Sequence, residues 1–412
     1  LEWKESRFNK KLTGNKKLWG GGVDHLCFSK DGQLYAGSAT ALSWLDDGNW
    51  VRVFPPTDNI TSGIAGIVAD DESGVWVATS VGLVHVEAHK ITAYADELSA
   101  TWLRRYTPNV EIHTLPDSVL SLLEWPANNY TGLLADHGHV YAVLPDGPAA
   151  NAGVEVGDLI LDEIEGEPGQ VITVEIRKID SHEKLNVSIA LDRSEGEYKL
   201  FQPNGILKTR QGHLWLSETS GDVVRLGFDQ GRNLTYWKRY GKKEGMAHNN
   251  GGWTGSYLLE GLADNIWFFT HSRYAKNYRY DLKKDKWDEI DLRLYGGSNL
   301  CRSISQTSDG KVWVGGAGRL HVYETDNWKV LRSVIDIPIE PRRIVSIKQT
   351  EDGSVWLAQF NGNIFRLKYN SSQWTVYKDL HYGGTTPGNL SYYLSSTGRV
   401  VEHDSVGESW QS

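Results

Sequence analysis

DGKVWVGGAGRL, residues 309–320, reads as a turn, a strand and a second turn. Asp-Gly supplies a left-handed turn position, Val-Trp-Val is a short strand with an aromatic at its centre, and the run of small residues lets the chain reverse. So short a unit cannot bury its own apolar surface, so its meaning depends on whether it recurs.

It recurs in related form as DGQLYAGSA (31–39), SGVWVATSVG (73–82), QGHLWLSETSG (211–221), DNIWFFTHS (264–272) and DGSVWLAQFNG (352–362). The central aromatics are Tyr35, Trp76, Trp215, Trp267, Trp313 and Trp356, separated by 41, 139, 52, 46 and 43 residues. A later strand follows in each unit: NWVRVF (49–54), ITAYAD (91–96), YWKRYG (236–241), KWDEID (286–291), NWKVLR (327–332) and QWTVYK (373–378). Four strands at this spacing predict the blades of a β-propeller.

The last unit, NLSYYLSSTGRVVEHDSVGESWQS (389–412), stops before a strand of the later series, and the N-terminal LEWKESRF supplies one, with Trp3 in the expected place. A ring that leaves its first and last sheets unpaired exposes two edges. The prediction is therefore an all-β seven-bladed propeller, closed by the N-terminal strand as the outer strand of blade seven. An open β-sandwich or two stacked small barrels is the alternative, and neither explains the step length or the complementary ends.

Seventeen Trp, 19 Tyr and 43 Gly against one Met suit many short strands and tight turns. A formal net charge of −9, without a basic stripe, argues against a nucleic-acid partner. No run of about 18 apolar residues is present, so no membrane span is expected. The chain opens on Leu without an apolar signal core and reads as a processed or trimmed product. Cys27 and Cys301 are too few for a disulfide framework and are expected as buried free thiols on first strands of blades one and five. Sequons at Asn59, Asn129, Asn186, Asn233, Asn370 and Asn389 point to secretion only in a eukaryotic source.

The step of 139 residues exceeds an ordinary one by about 95, a domain's worth. Residues 1–98 are accordingly assigned to blades one and two with the closing strand, and residues 203–412 to blades three to seven. An insert covers about 99–202, with a small α+β domain at 114–193. In it, TLPDSVLSLLEW (114–125) has helical apolar spacing after an Asp cap candidate, while VITVEIRK (171–178) and LNVSIAL (185–191) alternate as strands.

The units DGKVWVGGAGRL, DGSVWLAQFNGNI and SGVWVATSVGL resemble the two-component regulator propeller family, whose repeat reads approximately D-G-x-[LV]-W-[IV]-G-T-x-x-G-L. That resemblance implies an extracytoplasmic sensor part. Inside the insert, GPAANAGVEVGDLILDEIEGEP (147–168) resembles bacterial PDZ domains such as those of carboxy-terminal processing proteases, with Pro148, Ala149, Ala150, Gly153, Gly157 and Asp158 in register. This second resemblance implies a protein or peptide partner whose C-terminus adds a strand to a sheet edge. Its carboxylate would be held by the loop Tyr130, Thr131, Gly132, Leu133 and Leu134. EGEP is followed at once by GQVITVEIRK, which leaves out the helix that usually forms the second groove wall, and DSVLSLLEW (117–125) is the expected substitute.

In a propeller, the loops from a fourth strand to the next first strand share one face with those joining second and third strands. Four of the former carry Gly-Gly: LWGGGVDH (18–25), HNNGGWTG (248–255), LYGGSNLCR (294–302) and HYGGTTPGN (381–389). Beside them stand His25, His248, Asn249, Asn250, Trp253, Asn299, Arg302, His381 and Tyr382, with Arg342 and Arg343 from EPRRI. Planar amides, aromatics and arginines suit a carbohydrate, a peptide or an acidic small molecule.

No G-x-S-x-G, H-E-x-x-H, C-x-x-C or phosphate loop occurs, so no catalytic residue, cofactor or metal site is assigned, and HGH (137–139) reads as a solvated turn. The leading expectation is a non-enzymatic, periplasmic or secreted recognition, sensor or scaffold protein. Two alternatives stay open. One is a propeller lyase or hydrolase acting on a polysaccharide or cyclic peptide, since HLWLSETSGDVVRL (213–226) resembles the repeat of virginiamycin B lyase. The other is a regulator of a partner protease, by analogy with the propeller-plus-PDZ combination of the tricorn protease.

Overall fold

The computed structural model describes residues 24–411 apart from short stretches, the longest being 247–255, 332–343 and 378–389. The chain divides into two compact units, residues 17–239 and residues 240–412 with 1–16. Both are built from small sheets whose strands follow one another in chain order.

In the first unit, sheet 1 holds His25–Phe28, Leu34–Gly37, Leu42–Asp46 and Asn49–Phe54. Sheet 2 holds Ile64–Ala69, Val75–Thr79, Gly82–Glu87 and Lys90–Ala95, and sheet 3 holds Pro203–Lys208, Leu214–Glu218, Val223–Phe228 and Leu234–Tyr240. In the second unit, sheet 4 holds Ser256–Glu260, Asn265–Thr270, Asn277–Asp281 and Lys286–Ile290. Sheet 5 holds Cys301–Gln306, Val312–Gly316, Leu320–Glu324 and Asn327–Leu331, and sheet 6 holds Ile344–Gln349, Val355–Gln359, Ile364–Leu367 and Trp374–Tyr377. Sheet 7 has, among the described residues, three strands, Leu390–Leu394, Val400–Asp404 and Ser409–Gln411.

The fold is all-β and propeller-like. Each aromatic anchor lies in a second strand, and each segment of the later series lies in a fourth strand. Trp3 and the rest of the expected closing strand lie outside the described residues. Within each unit the first strands of consecutive sheets pack together. The second strands are thereby covered on both sides, and Val75–Thr79, Leu214–Glu218 and Val312–Gly316 are buried at every position. That is why they read as apolar runs and do not alternate.

The turn between first and second strands explains the Asp-Gly signal. In sheet 5, Thr307 Oγ1 receives the indole N–H of Trp313 at 3.2 Å and donates to Asp309 Oδ1 at 2.5 Å. Sheet 6 repeats this with Trp356, Thr350 and Asp352 at 3.3 and 2.6 Å. Gly310 and Gly353 take φ of +86° and +76° in these turns, a conformation that favours glycine. The residue before each Thr joins neighbouring sheets: Gln306 Oε1 accepts the N–H of Leu262 in sheet 4's turn, and Gln349 Oε1 accepts that of Ser308.

A third strand adds a cation to the anchor. Arg225, Arg279 and Arg366 are the register partners of Trp215, Trp267 and Trp356, with guanidinium carbons 5.5, 5.7 and 5.1 Å from the ring centroids. This recurring cation–π pair was legible in VVRLGF, NYRYDL and NIFRLK but formed no part of the repeat as first read. Cys301 is buried and free as expected, whereas Cys27 is free but only half-buried.

The insert departs from its expected secondary structure. Its first element is a helix, Glu97–Tyr106, followed by strand Glu111–Thr114, which joins sheet 2 parallel to Lys90–Ala95. Segment 114–125, expected as a helix, instead turns at Pro116 and Asp117, whose carbonyls accept the N–H groups of Val119 and Leu120. It continues as strand Ser121–Glu124, antiparallel to Glu197–Leu200. Apolar spacing fits either structure here, and a strand partner remote in sequence decides it. This segment therefore supplies no helical groove wall.

Between these neck strands lies a five-stranded sheet in chain order, Leu133–Asp136, His139–Val143, Leu159–Ile160, Val171–Arg177 and Lys184–Ala190. A short helix, Pro148–Asn151, packs with it around a core that includes Leu133, Val140, Ala149, Val174, Ile176 and Ile189. Fully buried Asp158 accepts the N–H of Glu155 and the Lys178 ammonium, both at 2.8 Å, and Lys178 also reaches the Gly153 carbonyl at 3.0 Å. The Gly-Asp pair of the motif is thus a turn tied from inside. No helix occurs among the described residues between Asp162 and Val171, in line with the reading of EGEP-GQV.

Candidate functional site

Strand register gives every four-stranded sheet two distinct ends. In sheet 1, His25 pairs Gly37, Gly37 pairs Leu42 and Leu42 pairs Phe54. The start of the first strand and the end of the fourth therefore share an end with the loop joining second and third strands. Ala95 and Pro203 lie at that same end of sheets 2 and 3, so the insert leaves and rejoins the unit there.

Of the expected face residues, His25 and Arg302 are described; His248, Asn249, Asn250, Trp253, Asn299, Arg342, Arg343, His381 and Tyr382 lie outside the described residues, as do the Gly-Gly pairs. His25, in the first unit, is half-buried. Burial lowers its pKa against the opposing pull of Asp24 and a hydrogen bond with the Ile64 backbone, so the imidazole is neutral near pH 7.

Arg302, in the second unit, occupies a bulge where the register of its strand shifts between Cys301 and Ser303. Sheets 2, 3 and 6 carry the same shift, at Ala65, Asn204 and Val345. A bulge re-aims a side chain, and these four positions carry a cation, an amide and two aliphatic residues. Asn204 accepts the Ser217 hydroxyl at 2.8 Å.

The ends of the second strands are equally varied: Gly37, Thr79, Glu218, Thr270, Gly316 and Gln359. Thr79 donates to the Gly82 carbonyl at 2.8 Å, and the Thr270 N–H is taken by Asn277 at 3.0 Å. Glu218, buried, pairs Arg239 at 2.6 Å; Arg239 also pairs Asp222 at 2.6 Å and donates from Nε to the Val119 carbonyl at 3.1 Å. This triad fastens the approach to the insert onto sheet 3. An acid in SETSGD, where other units have Thr, Gly or Gln, was the signal for it.

The strongest titratable cluster lies at the other end. Asp70 takes Lys208 at 3.0 Å, Arg232 at 3.3 Å and His85 at 3.0 Å, and Arg232 also pairs Glu87 at 3.0 Å. Burial would push the Asp70 carboxyl up, but hydrogen bonds from His85 and Lys208 outweigh it and hold the group well below the usual carboxylate range. His85 is 2% exposed, and its Nε2 lies against both Asp70 and Arg232. The arrangement joins sheets 2 and 3.

In the insert, the Thr131 carbonyl accepts the N–H of Ala149 at 2.8 Å, seating the expected carboxylate loop on the start of the short helix. Gly132 has φ +69°, and a Cβ there would lie 3.0 Å from Pro148 Cδ. Thr131 and Leu133 are buried, and Leu133–Asp136 ends the sheet order. Tyr130 and the first two residues of HGH lie outside the described residues, and nothing is described of the Leu134 side chain. Among the described residues no group of three His, Cys, Asp or Glu converges as a metal site, and no helix is long and apolar enough to cross a membrane.

No family model matches the chain, and no curated protein matches it. Similar solved structures include two extracellular domains from B. thetaiotaomicron proteins described as hybrid two-component systems. One is 14% identical over 87% of this chain and 40% of its own, with a TM-score of 0.36. The other is 14% identical over 93% of this chain and 49% of its own, also with a TM-score of 0.36. This chain thus spans less than half the length of either. The Dos1 propeller is 8% identical over 94% of this chain and 80% of its own, with a TM-score of 0.46.

Proposed function

We propose that the protein is an extracytoplasmic recognition and sensing protein: a seven-bladed propeller, closed by its N-terminal strand, with a PDZ-like domain inserted between blades two and three. The observation that carries this reading is the contrast between the two ends of the sheets. At the first-to-second turns of sheets 5 and 6 the Thr-Asp-Gly-Trp chemistry repeats, which is what a scaffold needs. At the opposite end the bulge residues and second-strand termini diverge from sheet to sheet, and there the insert emerges. In repeat architectures the face where units diverge is the one free to carry recognition.

His25 and Arg302, with His248, Asn249, Asn250, Trp253, Asn299, Arg342, Arg343, His381 and Tyr382, form the ligand-binding set, suited to a carbohydrate, a peptide or a small acid. The loop Tyr130 to Leu134 takes the C-terminus of a protein partner. Screening the whole chain against a glycan array, a panel of small organic acids and a C-terminal peptide library tests both roles. Arg302→Ala is expected to weaken the propeller ligand, and Gly132→Val the peptide, each leaving the other intact. Turnover of a polysaccharide or cyclic peptide that disappears on changing His248 or His381 overturns the non-enzymatic reading.

A further inference from the structure

The second strand of sheet 6 ends on Gln359, which is 4% exposed and whose Oε1 and Nε2 both lack a hydrogen-bond partner. It is the only buried side chain among the described residues with two polar atoms so placed. Each unpaired buried donor or acceptor carries its full desolvation penalty. Such a group in a native fold calls for a reason.

Architecture does not supply one. At the equivalent position Thr79 and Thr270 are satisfied by their own second-to-third turns, Glu218 is ion-paired, and Gly316 has no side chain. Strand alternation puts Gln359 on the same side as Val355 and Leu357, which belong to the apolar core shared by sheets 5 and 6. Its register partner is Ile344, against which the backbone of Gly315 packs so closely that a Cβ would fall 2.7 Å from Ile344 Cγ2. Sheet 5 therefore meets this corner with Gly315, Gly316 and the Ser303 hydroxyl, which donates to the Ile344 carbonyl at 3.4 Å, leaving the carboxamide as the unpartnered polar group at the top of a largely apolar seam. Ile344 directly follows Arg342 and Arg343 in the chain.

Resting on the reading that this end of the sheets is the ligand face, we propose that Gln359 recognises an amide group on a small ligand. Nε2–H donates to the ligand carbonyl while Oε1 accepts the ligand N–H. A trans amide turns its C=O and N–H to opposite sides, so both atoms are satisfied by an amide carbonyl together with an N–H or O–H of the adjoining ligand group on the same edge; a carboxylate can only accept, and would leave Oε1 facing an anion. The inference thus selects amide ligands over acidic ones. An N-acetylated sugar and a capped amino acid share this chemistry.

Calorimetry on the full chain distinguishes them, with tri-N-acetylchitotriose and N-acetylalanine methylamide as probes and deacetylated chitotriose and methyl 2-acetoxypropanoate, in which esters replace both amides, as matched controls. The expected result is that one amide probe binds at least tenfold more tightly than its control. Gln359→Leu and Gln359→Met should each abolish that discrimination while melting at or above the wild-type temperature, because an unpaired buried amide has been removed. Wild type binding neither amide probe shows that Gln359 holds only a trapped water, and overturns the proposal. Discrimination unchanged in a folded variant overturns it too, while leaving the ligand face standing. Only a chain that binds nothing in the wider glycan, acid and peptide screens brings down both.

Discussion

The carboxylate of Asp96 accepts the N–H of Phe201 at 3.2 Å across a separation of 105 residues. The same side chain caps the helix Glu97–Tyr106, taking the Ser99 N–H at 2.9 Å and the Ser99 hydroxyl at 3.0 Å. One buried residue therefore closes both ends of the insert's neck. Asp96→Ala removes a cap worth about 1 kcal/mol. It also leaves the N–H of fully buried Phe201 unpaired, at about 1–3 kcal/mol. A combined loss of about 2–4 kcal/mol is expected in denaturant unfolding, with faster amide exchange at Ser99 and Phe201. A loss below about 0.5 kcal/mol would mean that packing alone holds the neck.

Acid should act through Asp70. Its carboxyl is held low by His85 and Lys208 against the effect of burial, so the folded state favours the ionised form more than the unfolded chain does. The resulting stabilisation is complete above the ordinary carboxylate value of about 4 and is lost as pH falls from there toward the folded value. Thermal unfolding followed from about pH 6 down to about pH 2 should show wild type losing more stability than Asp70→Asn over the lower part of that range. Parallel curves for the two proteins would rule out Asp70 as the source.

The repeated turn predicts matched energetics. Thr307→Val and Thr350→Val keep side-chain shape but remove the acceptor for the indole N–H of Trp313 and Trp356, which sit 3.2 and 3.3 Å away. Each should cost about 1–2 kcal/mol. The two costs should agree within about 0.5 kcal/mol, and any departure of the double variant from their sum measures the coupling carried by the Ser308–Gln349 hydrogen bond that joins the two turns. Chemical denaturation midpoints check this.

How much of this was open to sequence reasoning depended on the distance over which each feature is encoded. Asp309, Gly310 and Trp313 form one local unit, so the sheets could be read from it directly, and the overlong step pointed to extra elements between sheets 2 and 3, where the five-stranded sheet lies in the chain. Residues 114–125 misled because SVLSLLEW suits two periodicities, and the choice was made by Glu197–Leu200 far along the chain. The missed helix had a local signal, an Asp cap before Ser99 with Ala100 and Leu103 on its buried side. The Asp70 cluster draws Lys208, Arg232 and His85 from separate strands and turns, and no spacing in the sequence announces it. Of the proposed ligand face, His25 and Arg302 are named from their place beside Gly-Gly loops, whereas Gln359 becomes conspicuous only when its missing partners are compared with the satisfied Thr79 and Thr270.

The ion pair inside the insert offers a test of whether that domain stands as its own cooperative unit. Asp158 is fully buried and Lys178 13% exposed, so Lys178→Met leaves a carboxylate without its cation in a site that water does not reach. Removing one partner of such a pair costs about 3–5 kcal/mol. The insert's five-stranded sheet has its own apolar core, whereas Leu103, Val110, Leu115 and Val119 of the neck belong to those of sheets 1–3. The loss should therefore appear as a second, earlier unfolding transition, with amide protection falling in Val171–Arg177 and Lys184–Ala190 while Val75–Thr79 and Leu214–Glu218 keep theirs. Replacing both partners, as Lys178→Met with Asp158→Asn, should recover part of the loss because no buried charge remains unpaired. A single transition shifted as a whole would instead mean that the neck couples the insert to the sheets, and Asp96→Ala in the same background should then split it in two.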